Sequence, residues 1–133
     1  MAIRDYQNQS LHDDVINSAQ RFLNNTDFDI YTNPGEQKNA GIGNLYPDII
    51  LTDKNKTTVK FFIEVETAES INISEATNQW KKYANGIQAS FYLLVPTNYR
   101  ELANRLCKQV GISVRFGTFD TDFYGNVSNI NWE

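Results

Sequence analysis

The sequence predicts an α/β fold, a mixed sheet of four to five strands flanked by helices, from three observations. Short apolar runs rich in β-branched and aromatic residues alternate with amphipathic helical segments along the chain. The first runs are separated by polar turns typical of hairpins, and the later runs by helices, which gives hairpin pairing followed by crossovers. No repeat or low-complexity tract divides the 133 residues. We therefore expect residues 1–133 to form a single domain.

The first half of the chain predicts a helix, a short strand and a hairpin. Ser10–Asn25 carries apolar residues at helical spacing, with its first residue as the expected N-cap. Phe28–Tyr31 is a short strand candidate, and Thr32–Asn44, rich in Gly, Asn and Pro, is expected to be a loop. The apolar runs Asp48–Leu51 and Val59–Val65 flank a polar turn, so they are predicted to pair as a hairpin.

The second half predicts two helices that alternate with two strands. Ser74–Gly86 reads as a helix capped by its first residue, followed by a buried strand at Phe91–Val95. Asn98–Val110 is a second amphipathic helix, and Ile112–Phe119 alternates enough to be a strand, whereas residues 120–133 show only a weak pattern. The apolar face of the first of these helices consists of Ala76, Trp80, Tyr83 and Ile87.

Composition excludes several classes of protein. Hydrophobic residues make up 41% and charged residues 21%, which is ordinary globular composition. No apolar run approaches the ~20 residues of a membrane span, and Met1–Gln20 lacks the apolar stretch of a signal peptide. The single cysteine, Cys107, favours a reducing, cytoplasmic compartment, and its helical neighbours predict a packed thiol rather than a nucleophile. The net charge of −4 argues against a broad basic surface for nucleic acid, although metal-binding acids would contribute to it.

Three acids meet at one end of the predicted hairpin. Asp48 opens one strand, and Glu64 and Glu66 end its partner. Side chains alternate across a strand, so the two glutamates share a face while Val65 points into the opposite layer. Clustered carboxylates repel one another unless a cation lies among them, and Mg²⁺ is commonly bound through one or two carboxylates. The pattern therefore predicts a metal site at the exposed strand ends, with solvated surface acids as the alternative.

The helix after this hairpin supplies two polar candidates. At ~100° per residue, Gln79 lies ~80° from the centre of the apolar face and Lys82 lies ~140° from it on the same flank. Lys81 lies on the other side. Gln79 could reach the strand-end acids with its amide, and Lys82 could extend a cation toward a phosphate or an attacking water. An ordinary solvated face remains the alternative for both lysines.

Three short segments stand out together: Pro47-Asp48, Glu64-Val65-Glu66 and Gln79-Trp80-Lys81-Lys82-Tyr83. Their order and spacing resemble the PD-(D/E)XK nuclease superfamily, which includes restriction endonucleases, junction resolvases and repair nucleases. The resemblance implies a restriction endonuclease-like core of one helix, a three-stranded meander, a second helix and a further strand. The segment from Ser10 to Val95 matches that order.

The resemblance assigns a role to each of these residues. Asp48 corresponds to the metal-binding aspartate and Glu64 to the second acidic ligand. Glu66 stands where the superfamily usually has its catalytic lysine, which is the main departure. Some restriction enzymes carry glutamate at that position, and other members supply the lysine from the next helix, where Lys82 is the candidate. Gln79 resembles the glutamine that several subfamilies place on that helix.

The first helix contributes less to the resemblance. An acid on this helix is common in the superfamily, and Asp14 is the nearest candidate, but it falls off the apolar face. His12, the single histidine, lies closer to that face. We expect a packed or surface role for it rather than a ligand role.

The function implied by the resemblance is metal-dependent hydrolysis of phosphodiester bonds, with nucleic acid, most readily DNA, as partner. One or two Mg²⁺ or Mn²⁺ ions at Asp48 and Glu64 would activate water, and Glu66 or Lys82 would orient or deprotonate it. The missing lysine and the acidic charge favour an alternative, a catalytically inactive nuclease-fold module that binds or regulates. A plain interaction domain is a third alternative for the function, and a homodimer is an alternative for the assembly state. The loop Thr32–Asn44 is expected to be a simple connection or a flap over substrate.

Overall fold

The computed structural model describes residues 5–24, 27–35 and 37–133 and has an α/β architecture with one mixed sheet. The strands follow one another across the sheet in the order of the sequence. They are β1 (Phe28–Thr32), β2 (Ile49–Asp53), β3 (Val59–Val65), β4 (Ser90–Pro96), β5 (Arg115–Thr121) and β6 (Val127–Trp132). The α/β class predicted from the sequence is therefore confirmed.

Strand directions follow from the connections. β1, β2 and β3 form an antiparallel meander, β3, β4 and β5 are parallel, and β6 returns antiparallel to β5. Each parallel pair is joined through a helix, as a parallel connection requires. The predicted hairpin and crossovers are thus both present.

The expected count of four to five strands is wrong, because the described residues form six. The missed strand is β6, Val127–Trp132. Its side chains alternate only weakly between half-buried and exposed positions, so the sequence shows no clear period of two. The turn before it is closed by Asp122, whose carboxylate accepts the N–H groups of Tyr124 and Asn126, and by Gly125 at φ 83°.

Three helices formed by the described residues flank the sheet. They are α1 (Tyr6–Leu23), α2 (residues 73–86) and α3 (Arg100–Val110), with short 3₁₀ turns at Ala68–Ser70 and Thr97–Tyr99. α2 is continuous but changes pitch: an α-helical Ile73–Glu75 leads into a π-helical Ala76–Trp80 and then an α-helical Lys81–Gly86. Within the described ranges, no helix combines the length and the apolar character needed to cross a bilayer.

Two helix starts differ from the sequence prediction. α1 begins at Tyr6, with Asp5 rather than Ser10 as its N-cap, and the Asp5 carboxylate accepts the N–H of Asn8 at 2.9 Å. The first turn of α1 contains only polar residues apart from the exposed Tyr6, so hydrophobic periodicity could not reveal it. α2 is capped by Asn72 rather than Ser74, and its side chain accepts the N–H of Glu75 at 2.9 Å.

The core lies in two layers, one on each face of the sheet. α1 packs on one face through Val15, Ile16 and Ala19, and Val65 belongs to this layer. α2 and α3 pack on the other face, where the predicted apolar face of α2 is buried. Trp80 and Tyr83 are core residues here, which confirms their assignment to packing. The side chain of Phe62 belongs to the layer of α2 and α3, and that of Val65 to the layer of α1, which confirms the expected alternation of side chains along β3.

Cys107 lies in the α3 layer and is buried, as the sequence predicts. Burial raises the pKa of its thiol from 9.0 to about 11, because the thiolate would lose solvation. At pH 8 this shift lowers the thiolate fraction by about 100-fold, and the thiolate is the reactive form. We expect a disulfide reagent to leave Cys107 unmodified in the native protein and to modify it fully in denaturant. Rapid stoichiometric modification of the native protein would contradict this placement of the thiol.

Candidate metal centre

The hairpin register brings Asp48 and Glu64 together. Ile49 pairs with Ile63, so Asp48, one residue before β2, lies opposite Glu64 on the face that carries α2. The backbone N–H of Asp48 donates to Oε1 of Glu64 at 3.0 Å. The N–H of Val65 donates to Oδ2 of Asp48 at 2.8 Å. Each carboxylate is thus oriented by the backbone of the neighbouring strand.

The acids are buried, so the expectation that they lie at exposed strand ends is wrong. Asp48, Glu64 and Glu66 are 3%, 4% and 1% exposed. Side chains from both helical layers close over them: His12 of α1 contacts Asp48, and Trp80 of α2 contacts Glu66. Buried carboxylates need such hydrogen-bond donors, because burial without them is costly.

The electrostatics of the cluster are dominated by burial and like charge. The pKa of Glu64 is raised well above its usual value, first by burial and then by the charges of Asp48 and Glu66. The pKa of Tyr83 on α2 is also raised, by burial and then by the same three acids. The charges of the three acids thus extend to Tyr83 on α2.

One oxygen of each paired acid is left over by the hydrogen bonds. In the part of the chain that the structure describes, these bonds engage Oδ2 of Asp48 and Oε1 of Glu64 and neither of the two remaining oxygens. The fully buried side-chain atoms that lack a hydrogen-bond partner among the described residues are Thr52 Oγ1, Thr67 Oγ1 and Trp132 Nε1, so these two carboxylate oxygens do not belong to that group. Mg²⁺ is commonly bound through one or two carboxylates, and water and phosphate oxygens complete its coordination shell. The remaining oxygens of Asp48 and Glu64 would suit such a site.

The protein ligands available to a cation are few within the described residues, because no group of three or more His, Cys, Asp or Glu side chains is arranged there to hold a metal ion. Any cation at Asp48 and Glu64 would therefore take most of its ligands from water or from a bound substrate.

Glu66 is held differently from the other two acids. Its Oε1 accepts the indole N–H of Trp80 at 3.0 Å, and its Oε2 accepts the hydroxyl of Ser70. Trp80 closes the π-helical turn of α2, and Ser70 ends the 3₁₀ turn after β3. Glu66 therefore joins the end of β3 to both segments that follow it. The predicted role of Glu66 as a catalytic group stays a prediction.

His12 contacts the centre, which the sequence prediction missed. It is fully buried, its Nε2 lies 3.0 Å from Oδ2 of Asp48, and its Nδ1 lies 3.2 Å from Oδ1 of Asp13. A doubly protonated ring would donate to both carboxylates, whereas either neutral tautomer donates to one. The signal was available, because His12 shares the helical spacing of the buried Val15, Ile16 and Ala19. Asp14 is exposed on α1, as expected.

Gln79 and Lys82 line a pocket beside the acids. The pocket has a volume of about 170 Å³ and lies between α2 and the loop before Asp48. Its lining consists of Asn33, Gln37, Lys38, Asn44, Leu45, Tyr46, Gln79, Lys82 and Tyr83. Lys82 is exposed and forms no ion pair with a described acid. The structure thus brings Gln79 and Lys82 together at the pocket, and Tyr83 lines the same pocket.

Asn33 organises the loop that forms the other wall of this pocket, and sequence reasoning did not single it out. Its amide donates to the carbonyl oxygens of Ala40 and Pro47, both at 2.7 Å. Its amide oxygen accepts the N–H groups of Asn39 and Ala40 at 2.8 and 2.9 Å. Its own N–H donates to the carbonyl of Asp48 at 2.9 Å. One buried side chain thus fixes both ends of the loop next to the acid.

We expect Asn33→Ala to loosen this loop and to destabilise the protein. The substitution removes four hydrogen bonds of a buried amide, and with ~0.5–1.5 kcal/mol per bond, partly recovered by water, we expect a loss of about 2 kcal/mol. The matched control is Asn44→Ala, which makes the same change at an exposed position of the same pocket. Urea unfolding and amide exchange of residues 37–46 measure the effect. Equal stability and exchange in the two variants would contradict the role of Asn33.

Three features define the candidate centre: two carboxylates oriented by backbone N–H groups, a buried histidine and a neighbouring polar pocket. The fold that carries it is a mixed α/β sheet with helices on both faces. Comparison of the chain with protein-family models, curated proteins and solved structures finds no match.

Proposed function

We propose that the protein is a metal-dependent nuclease that hydrolyses phosphodiester bonds of DNA, with Asp48 and Glu64 as the metal ligands. The observation that carries the proposal is the pairing of these two acids across β2 and β3. Each is oriented through one oxygen, and the other oxygen accepts no hydrogen bond from the described residues. A buried pair of acids built for packing alone would engage all of its oxygens.

The element order supports the same proposal. α1, the meander β1–β2–β3, α2 and β4 follow the order that the PD-(D/E)XK resemblance implies. The sequence motif and the spatial pair coincide, because the Asp of the motif lies directly opposite its first Glu. A short motif or a hairpin register alone is weak support for a nuclease site. Agreement between the two is stronger support for the proposal.

The residues of the site have separable roles in this proposal. Asp48 and Glu64 hold the cation, and the N–H groups of Val65 and Asp48 fix the two carboxylates in place. A bound Mg²⁺ or Mn²⁺ ion supplies an activated water and stabilises charge on the phosphoryl group. Glu66, whose oxygens accept bonds from Trp80 and Ser70, positions α2 against β3.

Lys82 has a separate role on α2. Its side chain lines the pocket and forms no ion pair with a described acid, so its ammonium is available to the anionic strand.

The second candidate is an inactive module of the same fold that binds nucleic acid or a partner. Two observations favour it: both oxygens of Glu66 are engaged by hydrogen bonds, and no described lysine forms an ion pair with the three acids. The superfamily that the chain resembles usually has its catalytic lysine at the position of Glu66. This candidate predicts binding without turnover.

Cleavage assays separate the two candidates. Plasmid, linear duplex and single-stranded DNA are incubated with the protein and Mg²⁺, Mn²⁺ or EDTA, and products are resolved on denaturing gels. We expect metal-dependent cleavage of at least one substrate, and its loss in Glu64→Gln. That substitution keeps an oxygen to accept the N–H of Asp48 while removing the charge. Absence of metal-dependent cleavage on all three substrates would reject the nuclease proposal.

A further inference from the structure

The charged residues that are described in the lining of the pocket between α2 and the loop before Asp48 are of one sign. Lys38 from the loop and Lys82 from α2 both line the pocket, and no acid is found among its described lining residues. The remaining polar lining is mainly amide side chains, which supply further donors. This composition stands out in a chain of net charge −4. The pocket is suited to an anion.

The lysine of the loop is held in place. Its Nζ lies 5.3 Å from the centre of the Tyr46 ring, a cation–π distance. The ring itself is fixed against Gly41, where a Cβ would lie 2.7 Å from a ring carbon. Lys38 is therefore oriented by a packed aromatic residue, and within the described part of the chain it forms no ion pair with an acid.

The two walls of the pocket are fixed to each other and to the acids. Leu45 packs against Gly86 at the end of α2, where a Cβ would lie 2.8 Å from Leu45 Cδ1. Asn33, in the lining, bonds the carbonyl of Pro47 and donates its N–H to the carbonyl of Asp48. Tyr83 lines the pocket from α2. An anion in the pocket would thus lie next to the Asp48–Glu64 pair.

We propose that this pocket binds a backbone phosphate of the nucleic-acid strand, held between Lys38 and Lys82 next to the phosphate that the acids engage. The inference rests on the proposed function, because the strand so positioned is the nuclease substrate. Lysine ammonium groups bind phosphate as point charges, and amides add hydrogen bonds to its oxygens. One pair of cations serves one phosphate, so the pocket can align a strand locally without a broad basic surface.

Binding assays in a non-cleaving background test the pocket directly. The protein carries Glu64→Gln, EDTA is present, and the probe is a fluorescein-labelled single-stranded oligodeoxynucleotide followed by anisotropy. Lys38→Gln and Lys82→Gln, singly and together, are compared with Lys81→Gln, which removes the same charge from the neighbouring exposed position of α2 outside the pocket. We expect each pocket variant to weaken binding by about 5-fold and the double variant by more than 10-fold.

Salt dependence and two further probes decide what the pocket recognises. The slope of log K against log salt should fall by about 0.7 per pocket lysine removed, as for a direct contact to a single-stranded backbone phosphate. An uncharged methylphosphonate oligonucleotide of the same sequence should not compete, and neither should poly-glutamate. Equal binding by the double variant and Lys81→Gln would overturn the inference. Competition by poly-glutamate as strong as by DNA would also overturn it, in favour of an acidic protein partner.

The two proposals fail in different ways. If the wild type cleaves DNA with Mg²⁺ while the lysine variants bind the oligonucleotide as tightly as Lys81→Gln, only the phosphate pocket is rejected. If no metal supports cleavage while the pocket variants lose binding, the nuclease is rejected and the pocket remains as the nucleic-acid site of an inactive module.

Discussion

Asp48→Asn is expected to lower metal-dependent DNA cleavage by about 10³-fold or more, since loss of a charged ligand removes ~4 kcal/mol of metal-assisted stabilisation of the transition state. The variant should fold, because asparagine keeps one oxygen that can accept the N–H of Val65. Its contact with His12 changes, because the 3.0 Å bond to that ring would no longer involve a charged acceptor. Cleavage rates are measured under single-turnover conditions beside the free energy of unfolding.

The control for this variant is Asp14→Asn. It makes the same change on the exposed side of α1, at the first-helix acid considered from the sequence. Both proteins are purified identically, so a contaminating nuclease would give equal rates. Equal cleavage by Asp48→Asn and Asp14→Asn would contradict the assignment of Asp48.

Glu66→Ala is expected to give the largest loss of stability among these variants, about 3 kcal/mol. The substitution leaves the buried indole N–H of Trp80 without its carboxylate acceptor and removes one of the two acceptors of the Ser70 hydroxyl, which keeps the carbonyl of Thr67, and a buried unpaired group costs ~1–3 kcal/mol. Relief of repulsion among the three acids offsets part of this cost. Urea unfolding followed by Trp fluorescence and by far-UV circular dichroism measures the change.

Glu66→Gln separates position from charge at the same site. The glutamine oxygen can accept from Trp80 and its amide can donate to Ser70, so we expect its free energy of unfolding to stay within ~1 kcal/mol of the wild type. A loss as large as that of Glu66→Ala would contradict a role based on hydrogen bonds. If Glu66→Gln is stable but cleaves no DNA, the charge of Glu66 takes part in the reaction, and its role is more than positioning.

The hairpin could be predicted from the sequence because its signals are local. The apolar runs of β2 and β3 flank a short polar turn, and alternation along β3 alone sets the directions of Glu64, Val65 and Glu66. Antiparallel pairing then brings Asp48 opposite Glu64 without information from the rest of the chain. The apolar face of α2 was predictable for the same reason, since a periodic pattern reports burial directly.

The features of the site that the sequence did not predict depend on contacts between distant segments of the chain. The burial of the acids arises from α1 and α2 closing over the strand ends, which no spacing within the hairpin reveals. The contact of His12 with Asp48 joins residues 36 apart. Asn33 acts through backbone groups of its own loop, and a polar residue in a loop rich in Asn and Gly carries no distinguishing pattern. The π-helical turn of α2 likewise lacks a sequence signal and shifts the predicted helical angles of Gln79 and Lys82.

Titration with Mn²⁺ tests most directly whether Asp48 and Glu64 together hold a divalent cation. Electron paramagnetic resonance of free Mn²⁺ is recorded during titration with the wild type, with the double variant Asp48→Asn/Glu64→Gln and with Asp14→Asn. We expect saturable loss of the free Mn²⁺ signal with the wild type and with Asp14→Asn, and no such loss with the double variant. Equal titration curves for the wild type and the double variant would contradict the assignment of Asp48 and Glu64 as metal ligands.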